Sequence, residues 1–253
     1  MNRVFKLMNY EFVDAVNGDE WDILWMLESV FQEDDAVNPK FAGYYTKPFK
    51  KHQKINHFPR IGNLVSKTKM NNKNRGEKFI LPVFILPEHQ ALLDKYLVEN
   101  PHKKLLQKNF HNRGVKIIDA KYIKTDSESE IFYQEFMDNH FLIDNHAFDF
   151  GIFVLITSFN PMRIYRFDDV LVRFCGEEYH PFDTEKRNKY VVREGSKTIY
   201  EMPSFKDIYK IYGFSSKVMF ENYISERGHD VKAFWQRIDE AIVKIVLNTE
   251  TNV

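Results

Sequence analysis

Cysteine, glycine and proline are all scarce in this 253-residue sequence. Cys175 is the only cysteine, so the chain can form neither an internal disulfide nor a cysteine zinc site, and a reducing compartment fits best. The 10 glycines and 9 prolines argue against disordered, collagen-like and propeller folds. An excess of charge of either sign is also absent, because 36 basic residues balance 36 acidic ones. We therefore expect no nucleic-acid partner.

Long apolar runs are missing as well. Residues 1–10 lack the apolar core of a signal peptide, and no run approaches the roughly 20 apolar residues of a membrane-spanning helix. The 9 histidines are scattered, without metal-ligand spacing and without a Ser-His-Asp or Cys-His pattern. These absences predict a soluble, intracellular protein with no membrane partner in this chain, and they assign no catalytic residue.

Aromatic side chains are abundant. Hydrophobic residues make up 43% of the chain, with 23 phenylalanines and 13 tyrosines, so we expect a large aromatic core. Near the N-terminus, Trp21, Leu24, Trp25 and Leu27 recur at helical spacing. The polar run over residues 70–78 predicts a linker or mobile loop between two lobes.

The middle of the chain is rich in strand patterns. Short β-branched and aromatic runs predict strands over residues 79–86, 104–108, 115–118, 131–137, 148–158, 162–167 and 170–174. Asp168 and Asp169, between the last two runs, are interpreted as a hairpin turn.

Helical patterns flank these strands. A helix is predicted to begin at Pro87. The tail, residues 204–247, carries an apolar stripe of helical period around Trp235, with Ser204 or Asp207 as the cap of its first helix. Strands in the middle and helices at the end predict an α+β fold.

Residues 148–174 carry the most specific motif. They read Phe-Asp-Phe-Gly-Ile-Phe-Val-Leu-Ile-Thr-Ser-Phe-Asn-Pro-Met-Arg-Ile-Tyr-Arg-Phe-Asp-Asp-Val-Leu-Val-Arg-Phe. This order of Phe-Asp, apolar strand, Thr-Ser, Asn-Pro, arginine, aromatic strand and Leu-Val-Arg-Phe resembles the tubulin tyrosine ligase-like family. Shorter similarities at residues 53–59, 104–118, 134–143 and 235–246 extend the resemblance over most of the chain.

The resemblance implies an ATP-grasp-like α+β fold with three parts. These are a small N-terminal lobe (1–74), a strand-rich central nucleotide-gripping lobe (75–175) and a helical C-terminal part of an incomplete catalytic lobe (176–253). The implied function is ATP-dependent ligation of tyrosine, glutamate or glycine to a protein carboxylate, as in tubulin polyglutamylation. ATP is the implied cofactor and Mg²⁺ the family's metal. The implied partner is tubulin or another protein with an acidic tail, in the cytoplasm or on the cytoskeleton.

The resemblance also places the ATP phosphates. Lys108 aligns with a lysine that contacts them, Arg113 and Gly114 belong to the loop that covers them, and Arg173 aligns with an arginine that faces them. From the residues alone, Lys108 is better explained as a solvated lysine in a basic stretch. Arg173 is likewise explained as an exposed arginine at a strand end.

The implied adenine hinge is Gln134, Glu135, Phe136 and Met137, which otherwise read as a plain buried strand. Asp149 aligns with the family aspartate that follows Phe. A carboxylate inside an apolar strand needs a partner or solvent. Its alternative role is therefore an ion pair with one of the neighbouring arginines, Arg163 or Arg173.

Lys67 lies where the family uses basic residues to bind acidic substrate tails. Its neighbours are also basic, namely Lys47, Lys50, Lys51, Lys54 and Lys69. A solvated basic face is the ordinary explanation of such a run.

Three departures from the family pattern bear on activity. Ala147 stands where the family has lysine, Gly151 stands where it has arginine, and no Glu-Val-Asn metal-binding segment follows Trp235. Asp239 and Glu240 lie on a helix pattern instead. We therefore expect no ligation by this chain alone. It is interpreted either as part of a longer ligase or as a non-catalytic nucleotide- or tubulin-binding protein; an unrelated structural α/β protein is the third alternative.

Overall fold

The computed structural model describes residues 2–13, 20–27, 49–59, 61–109, 115–123, 131–193, 195–213 and 215–250. The chain divides into two compact units, Met1–Met70 together with Thr249–Val253, and Asn71–Asn248. Helices and sheets are mixed, as the predicted α+β class requires. The lobe boundaries expected after residues 74 and 175 stay predictions.

The first unit is built from short elements. These are helix α1 (Asn2–Leu7), strands β1 (Ile23–Leu24) and β2 (Lys54–Ile55), helix α2 (Gly62–Val65) and the start of helix α3 (Lys67–Lys73). Strands β1 and β2 pair in parallel. Trp21 and Leu24 are buried, and Phe49 and Ile55 pack against them.

The helix predicted from the apolar spacing of residues 21–27 is wrong. Leu24 belongs to β1, and Leu27 is 97% exposed. The side chain of Asn56 holds the extended backbone that follows β1, because Met26 N–H donates to Asn56 Oδ1 at 2.9 Å and Asn56 Nδ2 donates to Met26 O at 2.7 Å. These partners lie 30 residues away in sequence, where local periodicity cannot reveal them.

The loop predicted over residues 70–78 is wrong for its first residues, which are helical, although the division between the two units does fall at the start of this run, after Met70. Helix α3 continues through Lys73, and the next residue, Asn74, is fully buried. Asn248 Nδ2 donates to Asn74 Oδ1 at 3.0 Å, so this asparagine is satisfied inside the second unit. The polar composition of the run conceals a buried residue whose partner lies near the end of the chain.

The first sheet of the second unit has four antiparallel strands in the order β3-β6-β4-β5. They are β3 (Val83–Ile85), β4 (Lys104–Asn109), β5 (Val115–Asp119) and β6 (Ile131–Glu135). All four lie inside or beside predicted strands, since the apolar and β-branched runs are local signals.

Helix α4 (Gln90–Glu99) covers one face of this sheet. Its Leu93 is fully buried in a cluster with Phe84, Leu105 and Tyr133. Side chains alternate along a strand, so the even-numbered residues 106, 108, 132 and 134 point to the opposite face.

The second sheet is a long antiparallel hairpin with a short third strand. Strand β7 (Phe148–Phe159) pairs with β8 (Met162–Phe174), and β9 (Lys197–Thr198) pairs with the end of β8. Four helices follow, namely α5 (Pro203–Lys206), α6 (Tyr209–Tyr212), α7 (Ser216–Ser225) and α8 (Val231–Glu250).

These helices form an aromatic core with one face of the hairpin. Phe174, Phe205, Met219 and Trp235 are buried together. Other members of the predicted α8 stripe, among them Val231, Phe234 and Ile238, pack against this cluster. The predicted amphipathic tail helix is thus confirmed, and the hairpin face it covers is the one that carries Phe148 and Phe150.

The turn predicted at Asp168 and Asp169 is wrong, because β8 runs through both residues. The register shifts there between the pairs Ile152↔Val170 and Val154↔Arg166, so the strand bulges. Asp169 Oδ1 accepts a hydrogen bond from the Lys217 backbone N–H at 2.9 Å, and Asp168 pairs with the Lys217 ammonium. Both carboxylates therefore project from strand β8 and bind Lys217 in the first turn of helix α7.

Neither Ser204 nor Asp207 caps the first tail helix. The residue before α5 is Met202, which makes no side-chain capping bond. Ser204 lies inside α5, where its backbone N–H donates to Asp144 Oδ2 at 2.9 Å and its hydroxyl donates to Asp144 Oδ1. A serine at a helix start is a capping signal by composition, but here its bonds go to a distant carboxylate.

Candidate functional site

Lys108 and Gln134 meet on the face of the first sheet opposite α4. They project from the neighbouring strands β4 and β6, and Lys108 Nζ donates to Gln134 Oε1 at 2.8 Å. The ammonium also lies 5.8 Å from the centre of the Phe132 ring. The structure therefore brings together a cation and an amide that were both assigned to the nucleotide.

Glu135 points to the opposite face, toward helix α4. Its carboxylate accepts hydrogen bonds from Tyr96 Oη at 2.6 Å and from Lys103 Nζ at 2.7 Å. Burial raises the pKa of the Glu135 carboxyl, but these two hydrogen bonds outweigh it and leave the pKa below its ordinary value. The side chain is thus a structural partner of α4, and only its backbone remains near the hinge.

Phe136 and Met137 continue the hinge beyond β6. Phe136 is buried, its N–H donates to Lys104 O at 2.8 Å, and its ring stacks on Phe182 with 5.7 Å between centroids. Met137 is 47% exposed, and its N–H donates to no described residue. Within the described hinge, the Met137 amide is thus a backbone donor that no described residue uses.

Asp149 and Arg173 face each other directly across the β7–β8 ladder. Arg173 Nε donates to Asp149 Oδ1 at 3.0 Å and Nη2 donates to Oδ2 at 2.8 Å, which is a two-pronged ion pair. Their neighbours Phe148 and Val172 point into the aromatic core, so this pair lies on the face away from the helices. Both side chains are more than 40% exposed, so solvent screens the pair.

Ala147 and Gly151, the two residues that replace family cations, are closely packed against their neighbours. Ala147 is 3% exposed in a cluster with Cys175 and Tyr179. A Cβ added at Gly151 would lie 3.2 Å from Leu171 Cβ, a contact that requires the neighbour to shift. Burial raises the pKa of the Cys175 thiol to about 11, so this thiol is un-ionised at neutral pH.

Several residues that were predicted to belong to the site are not shown to lie in it. Arg113, Gly114 and Lys47 lie outside the described residues. Lys67 begins helix α3 in the first unit and is exposed. No hydrogen bond or ion pair between described residues links the Lys108–Gln134 pair to the Asp149–Arg173 pair.

The metal requires a separate test, because magnesium prefers several oxygen ligands. Within the described ranges, no group of three or more Asp, Glu, His or Cys side chains is placed to hold an ion. Asp239, which follows Trp235 where the family's metal-binding segment was not found, accepts a hydrogen bond from Arg166 Nε at 2.7 Å. The described residues therefore do not fit a magnesium site.

The β8–β9 loop, of which residues 175–193, 195 and 196 are described, was not predicted as part of the site. Phe182 and Tyr190 of this loop pack against Phe136, with centroid distances of 5.7 and 5.9 Å. The aromatic and basic residues between Tyr179 and Tyr190 were the available signal, but nothing local shows that they fold against the hinge. None of the helices among the described residues has the length and apolar character needed to cross a membrane.

The sequence of this chain is similar to those of known proteins. The family model described as "Tubulin-tyrosine ligase family" matches residues 46–253. A probable tubulin polyglutamylase of Caenorhabditis elegans, ttll-15, is 32% identical over 235 residues, which cover 92% of this chain and 44% of that protein. The human tubulin monoglutamylase TTLL4 is 27% identical, with coverage of 82% of this chain and 18% of that protein. The chain thus spans less than half the length of these relatives.

A solved structure supports the fold. The C-terminal domain of K. lactis Pby1, described as an ATP-grasp enzyme, superposes with a TM-score of 0.50 at 15% identity, covering 83% of this chain and 63% of that chain. The ATP-grasp-like α+β architecture expected from the sequence is therefore confirmed at the level of the fold. By its family match and by its similarity to ttll-15 over most of its length, the chain belongs to the tubulin-tyrosine ligase family.

Proposed function

We propose that this chain binds ATP as part of an ATP-dependent amino-acid ligase of the tubulin polyglutamylase type. The observation that carries the proposal is the Lys108–Gln134 pair on the sheet face opposite α4, with the Met137 amide, which donates to no described residue, two residues beyond the end of β6. The names of the relatives, which are polyglutamylases and monoglutamylases of tubulin, support glutamate as the added residue and tubulin as the acceptor.

Each residue of the proposed site has a physical role. The Met137 N–H donates to the adenine ring, and the Lys108 ammonium offsets phosphate charge while Gln134 holds it in place. Arg173 is exposed enough to exchange Asp149 for phosphate oxygens, to which its guanidinium fork is well matched. ATP, when bound, supplies the phosphoryl group that activates a carboxylate for attack by an amine.

The acceptor is proposed to be the acidic tail of tubulin or of another protein. Lys67 and Lys69 are exposed on α3 and supply positive charge for such a tail. Because the described residues hold no magnesium site, no step of the reaction is assigned to the metal.

A non-catalytic nucleotide- or tubulin-binding protein is the second candidate function. It is favoured by Ala147 and Gly151, which replace two family cations and are fitted tightly into packing. Labelled glutamate, offered with ATP, magnesium and tubulin to a longer polypeptide that contains this chain, separates the two functions, because no ligation is expected of this chain alone. Incorporation into tubulin indicates a ligase, whereas ATP binding without incorporation favours the second candidate.

Calorimetric titration with ATP tests the nucleotide site itself. Lys108→Ala is expected to weaken ATP binding by about 1–3 kcal/mol, the scale for loss of a charged hydrogen bond. Lys95→Ala is the matched control, because that lysine lies on α4 with its side chain 73% exposed. Equal ATP affinities of the Lys108 variant and the unmodified chain would remove Lys108 from the site.

A further inference from the structure

Side chains of the β8–β9 loop donate hydrogen bonds to the backbone of the same loop. Lys189 Nζ donates to the carbonyl oxygens of Glu178 and Pro181 at 2.9 and 3.0 Å. Tyr190 Oη donates to Thr184 O at 2.6 Å. These bonds give the loop a preorganised surface beside the hinge.

Lys189 is unusual because its ammonium is buried without a counter-ion. The residue is 8% exposed, and both of its acceptors are neutral carbonyl oxygens. None of the ion pairs between described residues includes it. Lysine is rarely buried to this degree unless it is paired, so an anion within reach would stabilise the site.

A cavity of about 430 Å³ opens beside this ammonium. We call it the lysine pocket; it is lined by Lys104, Phe182, Asp183, Thr184, Lys186 and Lys189. Three lysines and one aspartate give the lining an excess of two positive charges. The Thr184 hydroxyl makes no hydrogen bond to a described residue, so it remains as a donor. Asp138 lies 3.5 Å from Lys104 Nζ, but it is 48% exposed and the pair is screened.

We infer that the lysine pocket binds a phosphoryl group, as a second anion site of the protein. Lysines without an arginine suit phosphate, which they contact as point charges, better than a planar carboxylate. A phosphoryl group carries close to two negative charges at neutral pH, which matches the charge of the lining.

The lysine pocket is distinct from the proposed phosphate contacts of ATP. Lys104 and Lys108 stand at opposite ends of β4, four residues apart, and strand geometry separates their Cα atoms by about 13 Å. The ATP phosphates belong at Lys108 in the proposed site, whereas the pocket lies at the hinge end of the strand. The inference therefore stands independently of the proposed ligase function.

Calorimetry with inorganic phosphate at low ionic strength tests the pocket. Lys104→Ala and Lys186→Ala are each expected to weaken phosphate binding about 10-fold or more, since each removes one charge-assisted hydrogen bond. Lys232→Ala, an exposed lysine on α8, should leave phosphate binding unchanged. Lys189→Met also removes the loop contacts, so its circular dichroism spectrum is compared first. The two other lysine variants keep the test decisive if that variant misfolds.

Two further arms fix the chemistry and the source. A phosphoserine peptide and inorganic phosphate are titrated in parallel. Tighter binding of the peptide indicates a protein-bound phosphoryl group, and tighter binding of inorganic phosphate indicates a free one. Glutamate binding as tight as that of phosphate would overturn the phosphoryl assignment. Absence of phosphate binding, or equal affinity in Lys104→Ala, Lys186→Ala and the unmodified chain, would overturn the site. An equal loss of ATP and phosphate binding in Lys186→Ala would show one anion site and not two.

Discussion

Consecutive residues of one strand serve opposite faces of the first sheet. Gln134 meets Lys108 on the face opposite α4, whereas Glu135 accepts hydrogen bonds from Tyr96 and Lys103 on the α4 side. A sequence motif treats the two as one hinge, but the alternation of side chains gives them different physical roles. The carboxylate of Glu135 should therefore matter for stability and not for nucleotide binding.

Glu135→Ala tests this separation at the level of one residue. Loss of the carboxylate leaves the partly buried Tyr96 hydroxyl and Lys103 ammonium without their acceptor, so the free energy of unfolding should fall by about 1.5–3 kcal/mol. ATP affinity of the folded variant should remain unchanged. Urea unfolding gives the first quantity and calorimetry the second. Glu99→Ala serves as control, because that carboxylate is 59% exposed on α4. A variant of normal stability with weakened ATP binding would place the side chain in the nucleotide site.

The same carboxyl predicts a pH dependence. Burial raises the pKa of Glu135, yet the hydrogen bonds from Lys103 and Tyr96 lower it further, so the folded-state pKa lies below the ordinary 4.5. A lowered folded-state pKa adds stability that is complete above the ordinary value and is lost as the pH falls through the folded-state value. The stability difference between the unmodified chain and Glu135→Gln should therefore shrink as the pH falls below 4.5. Urea unfolding over this range measures it; a constant difference would contradict the assigned interactions.

At the level of elements, local patterns located most strands but not their connections. The apolar runs over residues 104–118 and 148–174 predicted β4, β5, β7 and β8, because β-branched and aromatic residues favour a half-buried sheet wherever it lies. Asn56 and Asn74 could not be predicted to matter, since each satisfies a backbone or side-chain group distant in sequence. The pocket around Lys189 could not be predicted for the same reason, because Lys104 is distant in sequence from the loop residues that complete the lining.

The bulge in β8 shows how such distant partners change an element. Asp169 Oδ1 accepts from the backbone N–H groups of Val170 and Lys217 at 2.8 and 2.9 Å, and so ties the strand to the first turn of α7. Asp168, its neighbour, pairs with the Lys217 ammonium and is 88% exposed. The two adjacent aspartates, which were both predicted to be turn residues, are therefore expected to contribute unequally to stability.

Asp169→Ala should lower the free energy of unfolding by about 1–2 kcal/mol, the range for loss of a side-chain acceptor at a helix start. Asp168→Ala is the matched control in the same bulge, and its effect should be smaller because an exposed ion pair contributes little. Midpoints of chemical unfolding compare the two. If the two substitutions had equal effects, the bond to the α7 backbone would not be what holds the bulge.

At the scale of the whole molecule, the proposed functions fall into separate units. Lys108, Gln134, Met137 and the Asp149–Arg173 pair all belong to Asn71–Asn248, whereas Lys67 belongs to the first unit. The second unit also has its own aromatic cores around Phe174 and Leu93. A polypeptide of residues 71–253 should therefore fold by itself, since its main buried clusters remain intact.

This truncated chain should bind ATP as tightly as the full chain does, because no residue proposed to contact the nucleotide is removed. Its affinity for a polyglutamate peptide should fall, since the exposed lysines of α3 are lost with the first unit. Lys67→Ala together with Lys69→Ala in the full chain is the matched variant, and it should lose peptide affinity while keeping both folding and ATP binding. Both losses should diminish as salt is added, because exposed charges are screened. A folded 71–253 chain without ATP affinity would show that the first unit contributes to the nucleotide site. If both the truncated chain and the double lysine variant kept their affinity for the peptide, Lys67 would not belong to the binding site for the acidic tail, and the tail would bind another surface.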